Sequence, residues 1–170
     1  MQKPANKRTI LTMSVKESPL KRLTNGFKSS WVRRPDLLQV AALCHREGKN
    51  GREILLVTSR GRGRWILPKG WPKKKMSSAQ TALEEAFEEA GLRGRVLEKP
   101  IGQYHYTKTS GAGATLNCVA MIYEVAFVEM VKNYPEKGDR KVKWFSPKAA
   151  AQAVESPELA DILRDFKPTK

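Results

Sequence analysis

The sequence predicts an α/β sandwich in which a helix packs on a mixed sheet, and three observations predict it. A loop near the middle of the chain runs into an amphipathic helical segment between Gly70 and Leu92. Apolar runs of strand length lie on both sides of that segment, and two further helical segments close the chain. At 170 residues the chain is long enough to bury a core without staples.

Residues 1–35 carry nine Lys and Arg against Glu17 alone, a net of +8 within a chain total of +15. They are expected to form a solvated, weakly ordered extension ahead of one folded domain spanning 36–170. Such a leader has the charge to touch nucleic acid or anionic membrane, and its poverty in acids also resembles an organellar transit peptide. Nucleic acid is the less favoured partner.

Leu37–Cys44 is short and apolar, as a buried opening strand would be, and the polar, glycine-containing stretch from His45 to Arg52 reads as a turn. Glu53–Ser59, dominated by Ile54, Leu55, Leu56 and Val57, returns as the second strand of a hairpin. Arg60-Gly-Arg-Gly-Arg64 follows. Its glycines would let the backbone approach a ligand, and Arg60, Arg62 and Arg64 would offer bidentate contacts to phosphate. Lys69, Lys73 and Lys75 add cations on the way to the helix, either facing substrate oxygens or neutralising the acids that come next.

Helical periodicity runs through Ala79, Ala82, Leu83, Ala86, Phe87 and Ala90, with Ser77 and Gln80 as a capping box and Gly91 at the stop. Glu84, Glu85, Glu88 and Glu89 are placed by the helical repeat on the side away from that stripe, so four carboxylates share one face. Glu84 with Glu88 and Glu85 with Glu89 are like-charged i,i+4 pairs, each unfavourable by about 0.2–0.5 kcal/mol, and they lie where the helix dipole favours cations. A hard divalent ion, Mg²⁺ or Mn²⁺, would answer that charge; a solvated face neutralised by lysines is the plainer alternative.

Beyond the helix, Arg95–Tyr106 and Thr115–Val128 alternate as strands joined by a Gly/Ala-rich tip at 109–114, with Tyr104 and Tyr106 as packing or stacking residues and His105 as a surface residue. Arg140–Ser146 reads as a strand, and Pro147–Ala153 and Pro157–Phe166 as helices. Cys44 and Cys118 sit in apolar runs and read as buried thiols, nothing calls for an oxidising compartment, and the expected location is the cytoplasm. No apolar run approaches the roughly 20 residues of a spanning helix.

Gly70, Glu85, Glu88, Glu89, Gly91 and Leu92 match G-x5-E-x7-R-E-U-x-E-E-x-G-U, with Ala86 at the first apolar position. The chain thereby resembles the Nudix hydrolases, and Ile54–Gly70 is similar to the branch acting on diphosphoinositol and diadenosine polyphosphates. The resemblance implies a Nudix-type α/β/α sandwich and Mg²⁺- or Mn²⁺-dependent hydrolysis of a phosphoanhydride in a phosphorylated small molecule. It implies Glu85, Glu88 and Glu89 as the catalytic metal ligands, joined by the Lys69 carbonyl, with activated water as the nucleophile. An acid near the last strand, Glu136 or Asp139, often completes such a site. Two positions depart from the pattern: Met76 stands in place of a Glu, and Glu84 in place of the Arg that supports the ligand carboxylates. Those departures imply a hydrolase of reduced activity or, as the alternative, a weakened Nudix-fold module that binds phosphate or RNA.

Overall fold

β1 (Leu37–Gly48) runs through the interior of a mixed seven-stranded sheet, and its sequence shows why. Val40, Ala42 and Cys44 point to one face and Ala41 and Leu43 to the other, all fully buried, so the strand is apolar without interruption where it passes between two cores. The computed structural model describes residues 36–109 and 113–169; the basic leader 1–35 and the centre of the tip expected at 109–114 lie outside the described residues.

The remaining strands are β2 (Gly51–Thr58), β3 (Trp65–Ile66), β4 (Lys69–Gly70), β5 (Leu92–Thr109), β6 (Thr115–Met130) and β7 (Val142–Phe145). The path across the sheet is β3-β2-β1-β6-β5, with β4 pairing to β1 and β7 to β2. β1 and β6 are parallel and the other pairs antiparallel.

The first turn is shorter than composition suggests. Arg46 lies opposite Glu53 and Glu47 opposite Arg52, and the ion pairs between them, at 2.8 and 3.0 Å, carry the ladder through a charged sequence down to Gly48 and Gly51. The β5–β6 hairpin is longer than expected and absorbs its length through register shifts around Pro100, a residue that has no N–H to give to a ladder.

Three helices among the described residues cover the sheet: α1 (Ser78–Ala90) on one face, α2 (Pro147–Ala153) and α3 (Pro157–Asp165) on the other. α1 begins and ends as its sequence predicts. Ser77 Oγ accepts from Gln80 N–H at 3.1 Å, Gln80 Oε1 accepts from Ser77 N–H at 2.9 Å, and Gly91 takes φ 68 while its N–H donates to Phe87 O. The helix meets the sheet through Ala79, Ala82, Ala86 and Ala90, small side chains that let it sit close against Val40, Ala42, Val57 and Val125. Cys44 and Cys118 are buried free thiols, as expected. Among the described residues no helix is long and apolar enough to cross a membrane.

Candidate active site

The close seating of α1 decides where its acids go. At about 100° per residue, Glu89 lies only about 20° from Ala82 and about 60° from Ala86, so the edge of the apolar stripe carries it inward. Glu85 and Glu89 are 8% and 4% exposed, lodged beneath β4, and Glu88 is half-buried beside them. This corrects the expectation of four carboxylates on one solvent face. Glu84, about 140° round from Glu89, turns to the opposite flank and lines a hollow with Leu83, Phe87 and Arg93. Met76 is exposed.

β4 forms the roof. Its two residues pair with β1 at Ala41 and Val40, and Lys69 N–H donates to Glu89 Oε2 at 3.3 Å. The Gly70 α-carbon leaves no room for a side chain, because a Cβ there would stand 2.2 Å from the Glu85 carboxylate carbon.

Two cations hold the acids. Lys73 Nζ lies 2.7 Å from Glu88 Oε2 and 3.4 Å from Glu85 Oε1. Arg140, just ahead of β7, reaches Glu89 Oε1 at 2.5 Å, Glu136 Oε2 at 2.6 Å and the Thr58 carbonyl at 2.9 Å. Burial raises the Glu85 and Glu89 carboxyls above the usual carboxylate range even against these cations, because the charged forms have lost their water. Burial likewise lowers Lys69, whose Nζ lies 4.8 Å from the centre of the Tyr106 ring.

These groups open into one cleft of about 580 Å³. Glu85, Glu88, Glu89 and Glu136 line it on the helix side, and Arg60, Arg62, Arg64, Lys69 and Lys108 supply cations around it. Of the site residues expected from sequence, the structure brings all but two to the cleft wall. Lys73 acts from behind through its bonds to Glu85 and Glu88, and Lys75 is exposed, at φ 67, away from the lining. Of Glu136 and Asp139, Glu136 lines the cleft and Asp139 faces solvent. Gly61 and Gly63, at φ 89 and 66, build the turn of the Arg60–Arg64 stretch, where Gly63 N–H donates to Ser59 O at 3.1 Å, and Gly61 also lines the cleft.

Arg140 was not identifiable as a site residue from sequence. It stands 51 positions from Glu89, and no periodicity links residues that distant. Tyr106 also joins the lining, its hydroxyl donating to buried Gln39.

Among the described residues no group of three or more His, Cys, Asp or Glu side chains converges closely enough to hold a metal ion. The donors nevertheless fit a hard cation. They are carboxylate oxygens, four of them from separate side chains line one cleft, and Gly70 leaves the space that the Glu85 carboxylate fills. Lys73 pairs with Glu85 and Glu88, and Arg140 with Glu89 and Glu136.

The model of the NUDIX domain matches residues 37–166. The chain is 26% identical over 123 residues to Nudix hydrolase 13, mitochondrial, of Arabidopsis thaliana, covering 69% of this chain and 61% of that protein's length. It is 25% identical over 133 residues to diphosphoinositol polyphosphate phosphohydrolase 3-beta of Bos taurus, covering 76% and 77%. In fold it is similar to the crystal structure of the C. elegans Ap4A hydrolase, with a TM-score of 0.53 at 17% identity over 76% of this chain and 94% of that one.

Proposed function

The chain belongs to the Nudix family, and from that premise we propose that it is a metal-dependent pyrophosphohydrolase acting on a phosphoanhydride of a small, multiply phosphorylated substrate. The observation that carries this reading is the cleft itself, where the acids of α1 face a rim of arginines and lysines. Substrates of that charge include a nucleoside diphosphate linked to another group, a dinucleoside polyphosphate and a diphosphoinositol phosphate.

Glu85, Glu88 and Glu89 would hold Mg²⁺ or Mn²⁺, with Glu136 and the Lys69 carbonyl as further oxygen donors. When bound, the ion supplies Lewis-acid polarisation of the phosphoryl group and acidifies water. The protein supplies the rest. Arg60, Arg62, Arg64 and Lys108 bind the phosphates that are not being cleaved, and guanidinium forks match phosphoryl oxygens two at a time. Lys69 places a desolvated ammonium between the acids and the Tyr106 ring, where it meets developing negative charge without first shedding water. Trp71, with Lys108 5.3 Å from its ring centre, walls one side.

A panel of diadenosine polyphosphates, nucleotide sugars and diphosphoinositol phosphates, assayed for phosphate or nucleotide release with Mg²⁺ and Mn²⁺, tests the proposal. Metal-dependent turnover of at least one class is expected. Tight binding of several with no turnover of any would instead favour a phosphate- or RNA-binding module, the reading that the Lys73 and Arg140 pairings also accommodate.

Lys69 makes a pH prediction. Its lowered pKa means that the ammonium deprotonates at a pH where an ordinary lysine is still charged, so the anionic substrate loses a partner early on the alkaline side. KM is expected to rise on that limb in the wild type, and Lys69→Arg, charged throughout, should flatten the rise. Identical alkaline limbs in the two proteins would remove Lys69 from substrate binding.

Cytoplasmic residence is part of the proposal. Imaging the full chain tagged at its C-terminus tests it against the organellar address that the basic leader resembles.

A further inference from the structure

Arg140 is the most constrained cation of the cleft. Its side chain is 6% exposed, and every arm of the guanidinium is used: Nη2 on Glu89 Oε1, Nε on Glu136 Oε2 and Nη1 on the Thr58 carbonyl. The last bond ties it to the end of β2, and the backbone is clamped there as well. Thr58 N–H donates to Lys141 O at 3.0 Å, and Lys141 N–H donates to Thr58 Oγ1 at 2.9 Å. Glu136 is fixed in turn, its N–H donating to Glu88 O on α1 at 3.0 Å. The loop between β6 and β7 is thus bolted to the helix at one end and to the sheet at the other, with Arg140 between.

α1 cannot supply this support itself, since its last turn holds no basic residue and Glu84 points to the other flank. Lys73 serves only Glu85 and Glu88. Each carboxylate oxygen has two acceptor directions, so Glu89, with Oε1 on Arg140 and Oε2 on Lys69 N–H, is oriented and still has acceptor capacity left. The same holds for Glu136.

We propose that Arg140 is a positioning residue that sets Glu89 and Glu136 as one unit on the cleft wall, so that metal binding by an acid of α1 depends on a guanidinium from the loop before β7. This rests on the hydrolase reading above for its catalytic part, and on geometry alone for its metal-binding part. A fork that holds two carboxylates at fixed angles is something a lysine, with one point charge, cannot reproduce.

The test uses the full chain with Arg140→Lys and Arg140→Ala, measuring Mn²⁺ affinity without substrate, kcat and KM separately, and Tm. Arg140→Ala leaves two carboxylates without their buried cation and risks unfolding, so Arg140→Lys, which keeps the charge, carries the proposal if the alanine variant fails. Loss of outer-shell support costs a metal site roughly 10–100-fold in affinity or activity. Mn²⁺ binding weakened by that order in folded Arg140→Lys, with kcat lowered, KM little changed and partial recovery of folded Arg140→Ala by millimolar guanidinium, is the expected result. Mn²⁺ binding unchanged or tightened would overturn the proposal, the arginine then being idle or a competitor for Glu89. A rise in KM with kcat and Mn²⁺ affinity intact would overturn it too, making Arg140 a phosphate ligand. If the wild type turned over nothing while Arg140→Lys still lost Mn²⁺ affinity, the positioning role would stand and the hydrolase reading would fall.

Discussion

Glu85→Gln and Glu89→Gln are each expected to lower kcat/KM for the best phosphoanhydride substrate by on the order of 100-fold or more at saturating Mg²⁺, with the protein still folded. A supporting group around a metal site is worth roughly 10–100-fold, and a direct oxygen ligand should not be worth less. Their stabilities should separate the two variants, and the separation is a second check on the geometry. Glu85 is buried, and its carboxyl is raised above the ordinary range chiefly by desolvation, with Lys73 pulling the other way. Between its unfolded and its folded pKa the folded protein therefore holds the extra proton, and stability falls as pH rises through that window. The penalty is fully present once both states are ionised and absent once both are protonated. Glu85→Gln removes it, so this variant should match or exceed the wild-type Tm at neutral pH and lose that advantage in acid. Glu89→Gln removes one of the two carboxylates that Arg140 needs, which offsets the same gain. Wild-type turnover in either folded variant would sink the site assignment.

Much of the fold was legible because its signals are local. Ser77, Gln80 and Gly91 mark the ends of α1 by capping chemistry that acts within four residues, and the apolar run of β1 announces a strand covered on both faces. The site was legible in composition but not in arrangement. Periodicity sets Glu85 and Glu89 at the edge of the alanine stripe rather than opposite it, and a 13-residue helix packed through alanines sinks far enough for β4 to cover both. β3 and β4, two residues each, have no periodicity to detect; they are held by partners on β2 and β1. Lys75 lies two residues from Lys73, but its left-handed backbone turns it away from the cleft. Arg140 shows the limit most clearly, since sequence offers only the absence of an arginine at Glu84 and no indication of where a counter-charge to Glu89 would come from.

Gly70→Ala should separate the site from the fold more sharply than any charge change. Gly70 does not adopt a positive φ, so alanine there carries no backbone strain and what it needs is space. That space is taken by the Glu85 carboxylate, whose carbon and two oxygens would lie 2.2, 2.3 and 2.4 Å from the new Cβ. The end of a glutamate side chain can swing aside at modest cost, so Tm should move by only a few degrees, on the scale of about 1 kcal/mol for a small domain. The function should suffer far more, because a displacement of about 1 Å at a reacting centre can cost about 100-fold. Gly91→Ala makes the contrast. That residue sits at φ 68 with a Tyr134 ring carbon 2.4 Å from the would-be Cβ, and its substitution should cost stability first. A double-mutant cycle completes the argument. If Gly70→Ala acts by displacing Glu85, it should add little to the loss already present in Glu85→Gln, the coupling expected of two changes in one contact. Full additivity in kcat/KM, or a Gly70→Ala enzyme with wild-type turnover, would show that the Glu85 carboxylate is not held where the chemistry needs it.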